Sequence, residues 1–352
     1  MSPALQSADL QLAPLAIEGQ MAAVLRAAGV APLVDTGWIR VTGPDATRWL
    51  NGMVTNNVQS LQPGEGCYNF LLNAQGRIQG DCTIYRDPLT EKPEYLLETD
   101  TSQIDAIQQH LDHFIIMDDV ELADISGQRS GLSLAGPQAA ALLDQIGLTA
   151  ASYEPMRLQS VGWRGTSVVA LHSHSPLVAR YELWADPASI AALTKELIVA
   201  GAIQVLPEAL EQLRILEGTP RYGTDIRNSE TAHDLPQETG QTRALHFTKG
   251  CYLGQEIVER IHSRGAVHRT FSGFELTGPL PAAGTFLQAE GKPVAELTSV
   301  ASIQLGESGT TGGHGPAQLA LGIIRREALD RKLTLTYPGG TAAPIALPYA
   351  VH

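Results

Sequence analysis

The chain has little of what several function classes require. Only 17% of its 352 residues are charged and 5% are aromatic, too little for the basic groove and stacking platforms that single-stranded nucleic acid needs. A formal net charge of −13 repels a phosphate backbone on average, so direct nucleic-acid binding is not expected. No run approaches the roughly 18 uninterrupted apolar residues of a spanning helix, so no membrane insertion is expected. Met1 to Leu15 hold no basic residue ahead of an apolar stretch; neither an export signal nor an Arg-rich transit pattern is read there, and a cytoplasmic setting is expected. The cysteines are Cys67, Cys82 and Cys251, an odd number without metal-type pairing, which argues for reduced thiols over a disulfide framework.

What is present is a globular balance, 43% apolar, on a length beyond the roughly 100–200 residues that one core organises, so two or three domains are expected. Ile17 to Ala28 reads as a helix with Met21, Val24, Leu25 and Ala28 on one face, and Leu33 to Val41 as a strand. Asp45 stands where it would cap a short helix ending near Asn51-Gly52. Alternation on either side of Asn73-Ala74-Gln75-Gly76 predicts a hairpin over 66–85. A strand over 95–98, a helix over 102–114 with Ile104, Ile107 and Leu111 buried, and an extended segment to Ile125 complete this unit. Strands are then expected at 131–135, 161, 168–172 and 180–185, with helices over 137–146 and 190–200. Short strands mixed with separate helices indicate an α+β class. Beyond Phe271 glycine and proline punctuate short strands, which predicts a small all-β domain with a loop at Ser308 to Pro316. The organisation expected is an N-terminal segment and helix over 1–30, a region over 31–270 made of two α+β subdomains divided near 125, and the β domain over 271–352.

The densest candidate for chemistry is Lys249-Gly250-Cys251-Tyr252-Leu253-Gly254-Gln255-Glu256, which precedes a run with helical apolar spacing. Glycines on both sides permit a tight backbone that displays a thiol. A thiol ahead of a helix and beside a lysine is expected to ionise readily and to act as nucleophile or metal ligand. A cysteine buried under a glycine turn is the plainer reading of the same residues, and it is the one taken for Cys67 and Cys82 on their strands. His110 and His113, three apart on a helix, are read as a solvated face, and His172, His174, His262 and His268 have no spacing that defines a metal site. No metal is therefore expected. Gly312-Gly313-His314-Gly315 lacks the phosphate-loop lysine and is read as a β-domain loop.

The segment Lys249 to Glu256 resembles the signature of the YgfZ group, relatives of the glycine-cleavage aminomethyltransferase. The likeness extends from about Leu33 to Arg269 through Leu50 to Asn56, Leu72 to Ile78 with Asp81, Leu213 to Ile215 with Gly218, Pro220 to Gly223 and Asp225, and Leu235 to Glu238. It implies a GcvT-like multidomain folate-binding fold with a C-terminal β barrel, and tetrahydrofolate or a one-carbon derivative as cofactor. It further implies that Asp81 acts near the reactive nitrogens of the folate, that Glu182 accepts from the amino-pyrimidine edge, and that Arg214 and Tyr222 line the benzoyl-glutamate side. Cys251, at the rim of the folate cavity, would serve iron–sulfur cluster assembly or repair, with iron–sulfur proteins or assembly factors as partners and support of tRNA modification as an indirect result. Gly80 ahead of Asp81, where the glycine-cleavage enzymes carry a second carboxylate, and the presence of Cys251 set the chain apart from those enzymes. A folate-dependent aminomethyl or one-carbon transferase is the alternative reading, and a folate-binding module without a cysteine function is a third.

Overall fold

A computed structural model describes residues 17–149, 154–236, 238, 243–265, 267–305 and 316–351. The first fifteen residues, and positions 308–315 of the loop expected at Ser308 to Pro316, therefore lie outside the described residues.

In chain order the elements are α1 (Ile17–Arg26), β1 (Gly29–Leu33), β2 (Thr36–Thr42), α2 (Ala46–Met53), β3 (Gly66–Leu72), β4 (Ile78–Arg86), β5 (Tyr95–Asp100), α3 (Ile104–Asp112), β6 (Glu121–Asp124), β7 (Ser130–Ala135) and α4 (Ala139–Gln145). There follow β8 (Arg157–Trp163), β9 (Thr166–Ser173), β10 (Arg180–Ala185), α5 (Pro187–Ala200), β11 (Ile203–Gln204), α6 (Pro207–Glu217) and α7 (Gln255–Arg264). The last segment holds β12 (Arg269–Thr277), β13 (Phe286–Ala289), β14 (Lys292–Ile303), β15 (Ala317–Arg325), α8 (Arg326–Asp330), β16 (Leu335–Tyr337) and β17 (Gly340–Ile345).

Two sheets stack face to face. One has the order β3-β4-β5-β2-β6 and the other β11-β1-β7-β10-β9-β8. Because successive strand residues point to opposite faces, each strand feeds two cores. In β2, Trp38 joins Tyr85 and Leu96 against Leu158, Leu171 and Trp184 of the other sheet, where Trp38 and Trp184 meet edge to face at 5.5 Å. The next residue, Ile39, turns the other way and packs with Trp49, Leu50, Ile107 and Leu111 of α2 and α3. The six-stranded sheet repeats this: Leu183 packs under α4 and α5 with Leu143, Leu193 and Leu197, while Trp184 faces the first sheet. The result is a layering of helices, sheet, sheet, helices, in line with the α+β expectation.

The C-terminal segment is a closed barrel, β12-β15-β14-β13-β16-β17. Phe274, Leu287, Leu297, Ile324 and Tyr337 fill it, while Phe271, Leu321 and Ile323 join the core built on α1 and α6. The β domain expected from the glycine and proline spacing is thus present, as the closed barrel that the family resemblance implies, with one short helix, α8, inside its sequence.

Two local readings change. The strand expected over 33–41 is two strands in different sheets, β1 and β2, because the chain crosses between the layers at Val34-Asp35. Asp45 does not cap α2 with its side chain: it lies in the helical region itself (φ −91°, ψ −5°). Its carboxylate accepts instead from the backbone N–H of Asp119 at 3.0 Å and from Arg48 at 3.2 Å.

Candidate functional site

A cavity of about 540 Å³ opens between the two sheets, α6 and the loop that follows α6, and Asp81, Glu182, Arg214 and Tyr222 all line it. The β3–β4 hairpin supplies Asp81. Its turn closes at Gly76, whose φ of +70° suits glycine, and Asn73 fixes the turn by accepting from the N–H groups of Gln75 and Arg77 at 3.0 Å each. Asp81 is no water-facing strand residue. Tyr68 donates to its Oδ2 at 2.6 Å, Gln103 donates to its Oδ1 at 2.8 Å, and the Asp81 N–H returns a bond to Gln103 at 3.1 Å. Burial holds the Asp81 carboxyl above the usual carboxylate range, opposed by the Tyr68 and Gln103 hydrogen bonds.

Glu182, on β10, is 4% exposed. Its Oε1 accepts from the Ser173 hydroxyl at 3.0 Å and from Arg180 at 3.1 Å. Its Oε2 is buried and has no hydrogen-bond partner among the described residues, and Glu98 of β5 lines the same cavity. Burial first, and then the charge of Glu182, hold the Glu98 carboxyl well above the usual carboxylate range.

Arg214 differs from what the sequence suggests. All five of its N–H donors are taken: Nε and Nη2 by Glu211 at 2.9 and 2.6 Å, Nη1 by Thr219 O at 2.6 Å and Asp225 at 2.8 Å, and Nη2 also by Ser299 at 2.7 Å. Asp225, fully buried, accepts in turn from the Arg221 N–H at 2.9 Å, from Ser299 at 2.9 Å and from Thr298. The pair clasps α6 and its loop to β14 of the barrel, so Arg214 forms the wall of the cavity and offers no free fork to a ligand carboxylate. Tyr222 is likewise anchored, its hydroxyl donating to Gln79 O at 2.6 Å and lying against Asn228 Oδ1. Arg243, which also lines the cavity, lies over the Tyr68 ring at 4.8 Å and pairs with the buried Glu238 at 2.8 Å. His174, another lining residue, is held neutral, its pKa pushed down to about 4 by burial and the nearby Arg243.

None of Lys249, Gly250, Cys251, Tyr252, Gly254, Gln255 or Glu256 lines this cavity. The motif lies against the turn of the same hairpin and the end of α2. Gly254 has φ +82°, and a Cβ there would meet Asn73 O at 2.6 Å; Gly250 faces open space. The Leu253 N–H donates to Gly52 O at 3.0 Å, and Gln255 Oε1 accepts from the Tyr252 N–H at 3.3 Å. Glu256 is exposed in the first turn of α7. Lys249 is buried, and its Nζ donates to the carbonyls of Asn51, Val54 and Asn56 at 2.7, 2.7 and 2.5 Å, 5.1 Å from the Tyr252 ring centre. These are carbonyls at and just beyond the negative end of α2, which favour a cation. Burial pushes the Lys249 amine down to about 7, but three convergent acceptors match the three donors that only the ammonium has. The ammonium that was expected to activate the thiol is therefore engaged elsewhere. Cys251 is exposed, Cys82 is buried, and burial pushes the Cys67 thiol up to about 11. Among the described residues no group of three His, Cys, Asp or Glu is placed to hold a metal ion, and no helix is long and apolar enough to cross a membrane.

Sequence reasoning missed Glu98, Tyr68 and Gln103 as site residues. The hairpin register, with Phe70 opposite Asp81, was the one available signal: it puts Tyr68 diagonal to Asp81 on the same sheet.

With this geometry, the model of the GCVT N-terminal domain matches residues 10–249. The chain belongs to the GCVT family. Its relatives include a putative chloroplastic transferase of Arabidopsis thaliana, 26% identical, with the match covering 87% of this chain and 67% of that protein. The mitochondrial iron–sulfur cluster assembly factor IBA57 of Mus musculus is 28% identical over 84% of this chain and 77% of its own length. An aminomethyltransferase of Streptomyces coelicolor is 29% identical over 79% and 75%. Among solved structures, the glycine cleavage system aminomethyltransferase T from Bartonella henselae superposes with a TM-score of 0.80 at 21% identity, covering 96% of this chain and 90% of that one. The fold is therefore GcvT-like, C-terminal barrel included. The names of the Arabidopsis and mouse relatives refer to organelles and lend no support to the cytoplasmic expectation.

Proposed function

We propose that this GCVT-family chain is a tetrahydrofolate-binding protein of the YgfZ kind, acting in iron–sulfur cluster assembly or repair through Cys251. The observation that carries the reading is the meeting of Asp81, Glu182 and Tyr222, from separate elements, on one cavity of about 540 Å³, within the roughly 300–1,000 Å³ usual for ligand sites. A bound tetrahydrofolate, or a one-carbon derivative, fits the donor set: the buried Glu182 Oε2 is an acceptor awaiting an N–H edge, and Asp81 is held in one orientation by Tyr68 and Gln103. When bound, the folate would supply or accept the one-carbon unit; Glu182 would hold the pterin edge and Asp81 would orient a proton near its ring nitrogens. Arg214 shapes the benzoyl-glutamate side through its clasp. Cys251, exposed and outside the cavity, would meet iron–sulfur proteins or assembly factors. The likeness to the mouse assembly factor supports that partner class, and any effect on tRNA modification would be indirect. A cytoplasmic setting is kept as part of the proposal.

The test is rescue of an iron–sulfur enzyme in cells lacking the endogenous relative. Wild type and Cys251→Ala are both expected to bind tetrahydrofolate, and only wild type is expected to rescue; rescue by Cys251→Ala would remove the thiol from the account. The aminomethyltransferase relative and the locked Asp81 favour folate-dependent one-carbon transfer as the second reading. Turnover of a glycine-derived carrier that survives Cys251→Ala would select it.

A further inference from the structure

Of the described residues that line the cavity, Pro32, Val34, Asp35 and Glu208 are the exposed ones, so its mouth lies between the β1–β2 crossing and the first turn of α6. Glu182, 4% exposed, lies inside. Along α6, Glu208, Glu211 and Arg214 follow at intervals that share one helix face, the face turned to the cavity. Arg214 pairs there with Glu211 at 2.6 Å and with the buried Asp225 at 2.8 Å. Arg221, on the loop after α6, pairs with Asp100 at 2.8 Å and lies 3.6 Å from Asp35 and 3.8 Å from Glu211. At the mouth, Arg214 and Arg221 are thus outnumbered by Asp35, Asp100, Glu208, Glu211 and Asp225. The other arginines of the cavity do not offset this: Arg180 is 3.1 Å from Glu182, and Arg243 is 2.8 Å from the buried Glu238.

We infer that this rim selects monoglutamyl folates: Asp35, Glu208 and Glu211 disfavour a tetrahydrofolate whose tail carries further γ-glutamyl residues. The inference rests on the folate reading above and deepens it by naming the form of the ligand. With the pterin edge on Glu182 and the benzoyl group beside Arg214, the tail reaches solvent along α6, past Glu211 and Glu208. Arg221 is the cation that meets a tail carboxylate there. Its guanidinium has five donors, and among the described residues it hydrogen-bonds only to Asp100. Each further γ-glutamyl residue turns one carboxylate into an amide and brings two, a net gain of one negative charge at a rim that is already negative. No cation among the described lining residues is left to receive it. Asp35, Glu208 and Glu211 therefore act as specificity-determining residues by repulsion, which leaves the contacts of the pterin untouched.

Calorimetric titration of the full chain with monoglutamyl and triglutamyl tetrahydrofolate measures the discrimination. At about 10 mM salt, where the Debye length is about 30 Å, the triglutamyl form is expected to bind on the order of three- to tenfold more weakly than the monoglutamyl form. At about 1 M salt, where that length falls to about 3 Å, the ratio is expected to approach one. The double substitution Asp35→Asn with Glu208→Gln removes charge at exposed positions and keeps the shape of the mouth; it is expected to bring the low-salt ratio close to one. Equal or tighter binding of the triglutamyl form by wild type at low salt would overturn the selectivity while leaving the folate reading intact. A wild-type preference that the double substitution leaves unchanged would overturn the assignment to the rim carboxylates. Binding of neither form would overturn the folate reading, and the inference with it.

Discussion

Replacing Lys249 by methionine separates two accounts of the cysteine motif. The sequence suggests that this lysine activates Cys251; the structure turns its ammonium to the carbonyls of Asn51, Val54 and Asn56 at 2.5–2.7 Å. Methionine keeps most of the buried stem but orphans three carbonyls, each costing about 1–3 kcal/mol when buried without a donor. Against that gross loss of roughly 3–9 kcal/mol stands relief of the several kcal/mol needed to desolvate an ammonium. A net loss of about 3 kcal/mol is expected, a large part of a total stability of about 5–15 kcal/mol. Urea unfolding followed by tryptophan fluorescence reads it as a lower midpoint. Iodoacetamide alkylation of Cys251 under folding conditions reads the other account, and the rate is expected to stay close to wild type. A stable Lys249→Met protein with a sharply slowed thiol would refute the structural role argued for Lys249.

Other substitutions test neighbouring parts of the account. Gly254→Ala puts a methyl 2.6 Å from Asn73 O on a backbone of φ +82°, with an expected cost of about 1–3 kcal/mol, whereas Gly250→Ala, which meets nothing, is expected to be near neutral by thermal shift. Arg214→Lys cannot reproduce the five-donor clasp; limited proteolysis is expected to cut the 219–228 loop or release the barrel faster than in wild type, and equal protection would sink the clasp. For Glu98 the folded-state pKa lies above the unfolded value of 4.5. The protonated group therefore contributes stability that is full below about that pH and is lost as pH rises through the folded value. The urea midpoint of wild type should fall across that window and that of Glu98→Gln should fall less.

How much of this was legible in the sequence follows from the range of the interactions. The β3–β4 hairpin was legible because alternation and an Asn-to-Gly turn are local, and so was the C-terminal β domain, whose short strands are punctuated by glycine and proline, while its closure into a barrel came from the resemblance. The crossing at Val34-Asp35 was not: Pro32, Asp35 and Gly37 bracket it, but nothing local says that the strands on either side belong to different sheets. Asp81 and Glu182 were placed through resemblance, and both line the cavity. Glu98 escaped because its place on the cavity beside Glu182 depends on a second sheet, and a glutamate within a short strand carries no local sign of that. The direction of Lys249 escaped for the same reason: its acceptors lie nearly 200 positions away. Cys251 was legible as a displayed thiol, and it is exposed; the packing of the hairpin turn on α7, Gly76 against Ile257, is what no spacing reveals.

The central claim is that the cavity between the sheets holds tetrahydrofolate by way of Glu182. Its most direct test is calorimetric titration of wild type and Glu182→Gln with tetrahydrofolate. Saturable one-to-one binding by wild type, weakened at least tenfold in Glu182→Gln and unchanged in Cys251→Ala, is the result expected. No binding by wild type, or equal binding by wild type and Glu182→Gln, would contradict it.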